Sequence, residues 1–506
     1  MEPTTFLYTF LLTTFLIYTA LLLLRRRRTP PLPPGPTGLP LVGSLPFLDP
    51  SLHTYFTDLS KKYGPIFSLQ LGSKLAVVIS SSSLAHAVLR EHDNTFANRD
   101  VTETGRLFSY GGNDIVWSPN GPTWRMLRRI CVHEMLSPQS LDAVSSIRQQ
   151  ETRSTVRHIH ASSGNPVDIG AEMFLNVMNV VTNTMWGETL EGDKERESVS
   201  KDFKEVVANI TDLLGRPNVS DFFPALARFD LQGIQSKMAV LRDRVDNIFE
   251  RMIEKKSCDG GKTTNDLLEF MLRMEREGGD SKTPFTMSHV KALLMDMFTG
   301  GTDTTSTTVE WAMAELINKP DILKKLQDEL DQIVGKDKLV EESHLKQLQF
   351  LSLVIKETLR LHPPLPLLIP HCPSSPCIID GYLIPKGTRV FINVWAIQRD
   401  PSNWTDPLEF KPERYLQQGL QRDFGGKDFD YFPFGSGRRI CAGIAMAERI
   451  VGYLLATIVH SFDWKLPEGK DVDLSEQFSI VMKKAIPLVA IPTPRLSKNE
   501  LYNITS

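Results

Sequence analysis

The chain has 506 residues and a formal net charge of −3, with 57 basic side chains set against 60 acidic ones. That balance argues against a nucleic-acid binder, which carries a basic bias, and 41% hydrophobic with 23% charged residues is the composition of a folded enzyme rather than a disordered or fibrous chain. The five cysteines, Cys131, Cys258, Cys372, Cys377 and Cys441, are odd in number and irregular in spacing, which excludes a secreted disulfide framework. Cys372 and Cys377 are close enough in sequence to pair, but a reducing compartment is the simpler reading.

Residues 3–24, PTTFLYTFLLTTFLIYTALLLL, carry no charge. As a helix they reach ~33 Å, enough to cross the hydrocarbon core of a bilayer. The run RRRR at 25–28 follows, and basic residues stay on the cytoplasmic side. The expected orientation puts the N-terminus in the lumen and the rest in the cytosol. A cleaved signal peptide would carry its charge before a shorter apolar stretch, so this order reads as an uncleaved transmembrane signal anchor. The glycosylation-type matches at Asn209, Asn218, Asn403 and Asn503 then lie on the wrong side of the membrane. Residues 25–36 form a basic stop and a proline-rich hinge, ending in PPLPPGP, where proline fixes φ and removes donors, giving a stiff extended spacer.

The body, 37–500, shows no internal repeat and no boundary sharp enough to divide it, although its length alone would suggest two or three domains. IFSLQLG at 66–72 and LAVVISS at 75–81 read as a hairpin. Helices are expected at 83–91, 122–134, 138–160, 170–186, 199–214, 234–256, 263–277, 288–318, 320–333 and 343–361. SCDGGK at 257–262 reads as an exposed loop. Short strands follow around 376–392 and 478–491, and a last long helix at 443–460. The class is mainly α with small β-sheets.

Three stretches carry chemistry. The helix at 288–318 has apolar ends and the centre GGTDTTSTT. Glycine costs about 1 kcal/mol against alanine there, and threonine is a poor helix former. Thr304 lies four residues after Gly300, so its hydroxyl can bond the Gly300 carbonyl. Two readings fit: glycines that admit a ligand, with Asp303 supplying protons, or tight helix packing with Asp303 in a structural salt bridge. In KETLRLHPP, Glu357 and Arg360 share a helix face, and FKPERY offers Arg414 as a second guanidinium. In PFGSGRRICAG, Phe434, Gly437, Arg439, Cys441 and Gly443 surround one cysteine.

Taken together and in this order, the G-x-D-T-T helix, the E-x-x-R pair and F-x-x-G-x-R-x-C-x-G resemble the cytochrome P450 family of haem-thiolate monooxygenases over essentially the whole chain. WRMLRRI, FANRD and PERY resemble the microsomal plant enzymes of specialised metabolism. The resemblance implies the cytochrome P450 fold behind a single transmembrane helix at the endoplasmic reticulum. It implies haem b (iron protoporphyrin IX) with Cys441 as the axial iron ligand and Phe434 packed beside the sulfur. Arg439, Trp124 and Arg128 match propionate contacts, and His371 stands where many relatives place arginine. Asp303 and Thr304 match the acid–alcohol pair that delivers protons in dioxygen activation. Gly300 departs from the alanine common there. Glu357, Arg360 and Arg414 match a structural ion cluster.

The implied pocket takes in the loop with Leu107, Phe108 and Tyr110, the helix at Asp296, Met297 and Gly301, residues 365–369 including Leu367, and residues 478–481 including Phe478 and Ile480. The chain has no flavin or nicotinamide fingerprint. Electrons are expected from NADPH through a separate, membrane-bound NADPH–cytochrome P450 reductase docking on Arg125, Arg128, Arg129 and Arg438. The implied reaction is hydroxylation by dioxygen of a small apolar terpenoid or flavonoid. The alternative is a haem-thiolate isomerase or dehydratase needing no reductase. The remaining partner is membrane lipid, with no nucleic acid.

Overall fold

The computed structural model describes residues 30–187, 193–258, 266–280, 283–417 and 422–503. The anchor at 3–24, the RRRR run at 25–28 and most of the loop at 257–262 lie outside them. Within them the chain is mainly helical, with sheets of two or three strands.

The long helix α4 (Met287–Asn318) runs through the core, buried along most of its length. Around it pack α1 (Ile169–Trp186), α2 (Asp193–Gly215), α3 (Ile234–Cys258), α5 (Gln349–Leu361) and α6 (Ile444–Ser461). Local chemistry sets several of these ends. Asp168 accepts the Ala171 N–H at 2.9 Å to cap the start of α1. Gly187 ends it at φ 79°, where a side chain would strain the backbone. Thr286 and His289 bond reciprocally at the start of α4. Among the described residues, α6 is the helix long and apolar enough to span a membrane, but 72% of it is buried inside the protein, as befits a core helix.

The larger sheet joins β1 (Ile66–Leu71) and β2 (Lys74–Ile79) as the expected hairpin, with β3 (Arg389–Ile392) parallel to β2. A short hairpin, β4 (Glu476–Gln477) with β5 (Lys483–Lys484), lies near the C-terminus. Val489–Pro494 pairs with Phe462–Lys465 and with Val167–Asp168.

Several expected elements are corrected. The helix at 138–160 is two, Pro138–Ala143 and Ser145–Ala161, because Val144 (φ −102°, ψ 16°) leaves helical geometry. The helix at 343–361 is a 3₁₀ turn, Glu342–Lys346, followed by α5. The short strands expected at 478–491 are β5 and Val489–Pro494, with β4 just ahead of them. The helix Leu52–Tyr63 was not anticipated.

The proline segment is extended but not a free spacer. The Pro34 carbonyl accepts the Ser68 N–H at 2.8 Å, Pro33 accepts the Ser68 hydroxyl at 2.7 Å, and Pro31 accepts the Leu383 N–H at 2.8 Å. A Cβ on Gly35 would stand 1.9 Å from the Ser68 carbonyl, so this close approach requires glycine. The hinge residues therefore dock on the body from position 31 onward. Cys131, Cys372, Cys377 and Cys441 are free thiols, so Cys372 and Cys377 do not pair.

Candidate functional site

A cavity of ≈ 320 Å³ lies between α4 on one side and the cysteine loop leading into α6 on the other. On α4 the residues facing it are Asp296, Met297, Thr299, Gly300, Gly301, Thr304, Thr305 and Thr308. Their spacing of one, three and four traces a single helical stripe. A Cβ on Gly300 would meet nothing within 4 Å, and one on Gly301 would meet only Val181 at 3.5 Å. These glycines hold cavity space open rather than seat a neighbouring helix.

The polar centre of α4 satisfies itself. Thr302 donates to the Phe298 carbonyl at 2.6 Å, Thr304 to Gly300 at 2.8 Å, Ser306 to Thr302 at 2.9 Å and Thr308 to Thr304 at 2.8 Å. The Thr304 bond is the one expected from spacing. Asp303 turns away from the cavity. Its Oδ2 accepts from Lys483 of β5 at 2.8 Å and from the Thr211 hydroxyl of α2 at 3.2 Å. Of the two readings left open for this stretch, the glycines follow the first and Asp303 is in the salt bridge of the second.

Opposite α4, the loop before α6 brings the Cys441 sulfur to the cavity. The Cys441 N–H donates to the Phe434 carbonyl at 3.0 Å, and the Gly443 N–H points at Sγ from 3.3 Å. A Cβ on Gly437 (φ 69°) would lie 2.4 Å from the Leu89 carbonyl oxygen, so the turn requires glycine there. Burial pushes the Cys441 thiol up, opposed by the Gly443 N–H and the Arg128 charge. A metal ion bound to the sulfur would hold it as the thiolate. Phe434 lines the cavity beside Cys441 and sets its ring edge-on to Phe424.

One rim of the cavity is strongly cationic. Arg439 donates to the carbonyls of Ala97 (2.7 Å), Ile115 (3.1 Å) and Ser118, over the face of Trp124 at 4.2 Å. Trp124 does not line the cavity; its indole N–H donates to Ile115 at 3.1 Å. Arg128 reaches the Ile440 carbonyl in the cysteine loop. Arg99 joins them, donating to Ile369 at 2.6 Å and to Val116 at 3.1 Å. Burial lowers the Arg439 pKa to about 10, with Arg128 adding to the effect. Burial and then Arg439 lower Arg99 well below the arginine range. His371 faces the same space, and burial followed by Arg99 depresses it to about 3, so it is neutral. Its Nδ1 lies 2.9 Å from the Phe96 carbonyl and must carry the proton, leaving Nε2 an acceptor.

Three guanidinium groups crowded against their own repulsion call for an anion. A flat group bearing carboxylates at this rim and a metal ion at Cys441 suits the donor set. Haem fits the residues present. Arg99 was not singled out from sequence; it stands between Asn98 and Asp100 in FANRD, and nothing in that polar setting marks it as buried.

The structure brings Glu357, Arg360 and Arg414 together, all buried. Both carboxylate oxygens of Glu357 accept from Arg360 at 2.9 Å, and Oε1 also accepts from Arg414 at 2.9 Å. Of the expected pocket residues, Phe108, Asp296, Met297, Gly301, Ile480 and Val481 line the cavity. Leu367 packs instead against the β1–β2 side, near Phe56 and Phe67, while Leu365 and Leu368 turn inward. Tyr110 points away, its hydroxyl donating to Asp246 of α3 at 2.7 Å. Phe478 stacks on His53 at 5.2 Å. Thr211, Leu214, Ile115 and Val116 line the cavity without having been expected. Of the expected docking arginines, Arg125 and Arg129 are exposed, Arg128 faces inward, and Arg438 leans on Asp93 at 3.4 Å.

The family model described as Cytochrome P450 matches residues 33–489. A flavonoid 3'-monooxygenase of Crocosmia x crocosmiiflora is 43% identical over 97% of this chain and 97% of its own length. A geraniol 8-hydroxylase of Catharanthus roseus is 40% identical over 92% of this chain and 95% of that protein. A solved zebrafish cytochrome P450 with progesterone superposes with a TM-score of 0.75 at 27% identity, covering 87% of this chain and 99% of that one.

Proposed function

The chain belongs to the cytochrome P450 family, and from that premise we propose that it is a monooxygenase that uses NADPH and dioxygen to hydroxylate a neutral flavonoid or terpenoid of plant specialised metabolism. The observation that carries this is the cavity itself, with Cys441 on one wall and Thr304 on the other. Relatives that hydroxylate flavonoids and geraniol support both substrate classes. Haem b bound here, with Cys441 as its iron ligand and its propionates on Arg99, Arg128 and Arg439, would supply dioxygen activation. The remaining work falls to the chain. Apolar walls from Phe108, Leu365, Ile369, Ile480 and Val481 exclude water and hold the substrate.

Thr304 Oγ holds a proton on the cavity wall, parked on the Gly300 carbonyl. Asp303 lies behind it, tied to Lys483, and serves proton supply from the α2 side. Thr304→Ala should lower product formed per NADPH consumed by about 10²-fold, the low end for a positioned proton donor, while NADPH oxidation continues. An unchanged ratio would remove the role.

Residues 3–24 are proposed as the endoplasmic reticulum anchor. An NADPH–cytochrome P450 reductase then meets the exposed Arg125 and Arg129, on the helix whose Arg128 touches the cysteine loop. Arg125→Glu with Arg129→Glu should slow reduction by about tenfold at low ionic strength, less as salt rises, with haem content unchanged. Equal rates under limiting reductase would dismiss this face. The function is tested in microsomes with reductase, against a panel of flavonoids and terpenes read by mass spectrometry. Product without NADPH would favour the isomerase or dehydratase alternative.

A further inference from the structure

Phe478 lies two residues ahead of Ile480, and on a regular strand the two side chains would share a face. Ile480 and Val481 line the cavity, yet Phe478 packs against the cluster of Phe56, Phe67 and Leu367 on the β1–β2 side. The chain bends over residues 479–481 to separate them. The far side of that bend is pinned. The Ser479 hydroxyl donates to the Thr211 carbonyl at 2.9 Å, and the Met482 N–H donates to the Pro364 carbonyl at 2.8 Å. A Cβ on Gly215 of α2 would stand 2.4 Å from the Ile480 nitrogen, so α2 also presses on the bend.

The near side hangs on Glu476, whose carboxylate gathers side chains from distant segments. Its Oε2 lies 3.0 Å from His53 Nε2, on the helix Leu52–Tyr63. The Trp395 indole N–H is shared between Oε2 at 3.1 Å and Oε1 at 3.2 Å. Oε1 also faces Arg399 at 3.4 Å and, just past α5, His362 Nδ1 at 3.6 Å. His362 in turn meets Glu315 of α4 at 2.8 Å through Nε2 and stacks flat on Trp311 at 3.9 Å. Burial opposes the charge of Glu476, but His362, His53 and Arg399 hold it far below the usual carboxylate range. The carboxylate is thus an ionised anchor. The His53 ring, 1% exposed and set edge-to-face with Trp395, is the platform on which Phe478 stacks, 5.2 Å away and 15° from parallel.

We propose that Glu476 and His53 are positioning residues that keep the Phe478 ring out of the cavity and so set the length of ligand it admits. Glu476 fixes the imidazole by one nitrogen, and the imidazole face holds the ring. Without either, Phe478 loses its platform at the open end of a bend whose other end is pinned, and the face shared with Ile480 leads into the cavity. A benzyl group entering there fills space that a long ligand needs and a short one does not.

The inference rests on the cavity being a haem enzyme's substrate chamber, and its test does not need turnover. Phenyl- and biphenyl-imidazoles are titrated into the haem-loaded protein, and dissociation constants are read from the azole–haem spectrum. Glu476→Gln, which keeps the shape but not the charge, should weaken the biphenyl azole by about tenfold, near the low end of the cost of overpacking, and leave the phenyl azole within about twofold of wild type. Adding Phe478→Ala should restore the biphenyl azole, which a merely loosened fold would not do. His53→Gln removes the platform while leaving Glu476 with Trp395 and Arg399, and should repeat both the loss and the rescue; it carries the test where Glu476→Gln fails to take up haem. Either variant, loaded with haem, that binds both azoles as wild type does, weakens both alike, or is not rescued by Phe478→Ala overturns the role. A wild type that gives no azole spectrum sinks the haem reading, and this inference with it.

Discussion

Cys441→Ala is expected to remove the thiolate-type spectrum of the reduced, carbon-monoxide-bound protein and to abolish turnover, while the chain still folds. The substitution deletes one sulfur from a loop whose shape does not depend on it. Gly437 fixes the turn against Leu89, the Phe434 carbonyl holds the backbone N–H of residue 441, and Arg128 ties the Ile440 carbonyl. Because Sγ opens onto a cavity, its loss buries no new void in packed core. Far-UV circular dichroism and the urea midpoint, compared between the haem-free forms, should therefore stay close to wild type. Metal affinity is another matter. Outer-shell partners alone are worth 10–100-fold, so losing the ligand itself should cost more than about 10²-fold in haem retention. Cys441→Ser keeps the size and offers oxygen in place of a soft sulfur, and should retain some haem with an altered spectrum. An alanine variant with an unchanged thiolate spectrum would overturn the ligand assignment.

Much of this site was legible in the sequence, and the misses have physical causes. The long helices at 169–186, 287–318, 320–333 and 444–461 were expected within a residue or two, because each carries a sustained apolar period. The breaks at Val144 and between Lys346 and Gln349 were not, since neither has a proline or glycine to announce it. Side-chain direction in loops was equally hidden. Leu367 and Leu368 are neighbours of one kind, and only the positive φ of Leu368 (51°) separates core from cavity. Tyr110, also at positive φ, swings its ring to Asp246.

Helix periodicity alone does not separate Asp303 from the cavity, since the successive pairs Asp296–Met297, Gly300–Gly301 and Thr304–Thr305 all line it; Lys483 and Thr211 draw the Asp303 carboxylate away. The arginines divide in the same way. Arg128 was expected both at a propionate and on the docking surface, and a single side chain serves one face. Arg99 is the reverse case. Its three backbone partners, Val116, Ile369 and Pro370, come from distant segments that only folding brings together.

Glu357→Gln should be the most damaging substitution remote from the cavity, costing about 3–5 kcal/mol, because it leaves two buried guanidinium groups without their counter-charge. Against a total stability of about 5–15 kcal/mol this is enough to empty the folded state in many hosts. The damage should appear as loss of haem-loaded protein and a lower urea midpoint, since the cluster supports the cysteine loop. Gln398 connects the two. It accepts the Phe432 N–H at 3.1 Å and donates to the Leu359 and Arg360 carbonyls at 3.0 Å. Buried ion pairs can sometimes be replaced by apolar residues at no loss, and the double variant Glu357→Leu with Arg360→Met tests whether that holds here. It should not. Arg360 also donates to the carbonyls of Gln398 at 2.9 Å, Pro407 at 2.7 Å and Glu409 at 3.1 Å. Methionine leaves the Gln398 and Pro407 carbonyls without that donor, while Arg414 still reaches Glu409 at 3.1 Å, at about 1–3 kcal/mol for each acceptor that stays buried and unpaired. The double variant is thus expected to be no more stable than Glu357→Gln alone. A double variant restored to wild-type stability would mean that charge balance, rather than carbonyl bonding, is what Arg360 contributes.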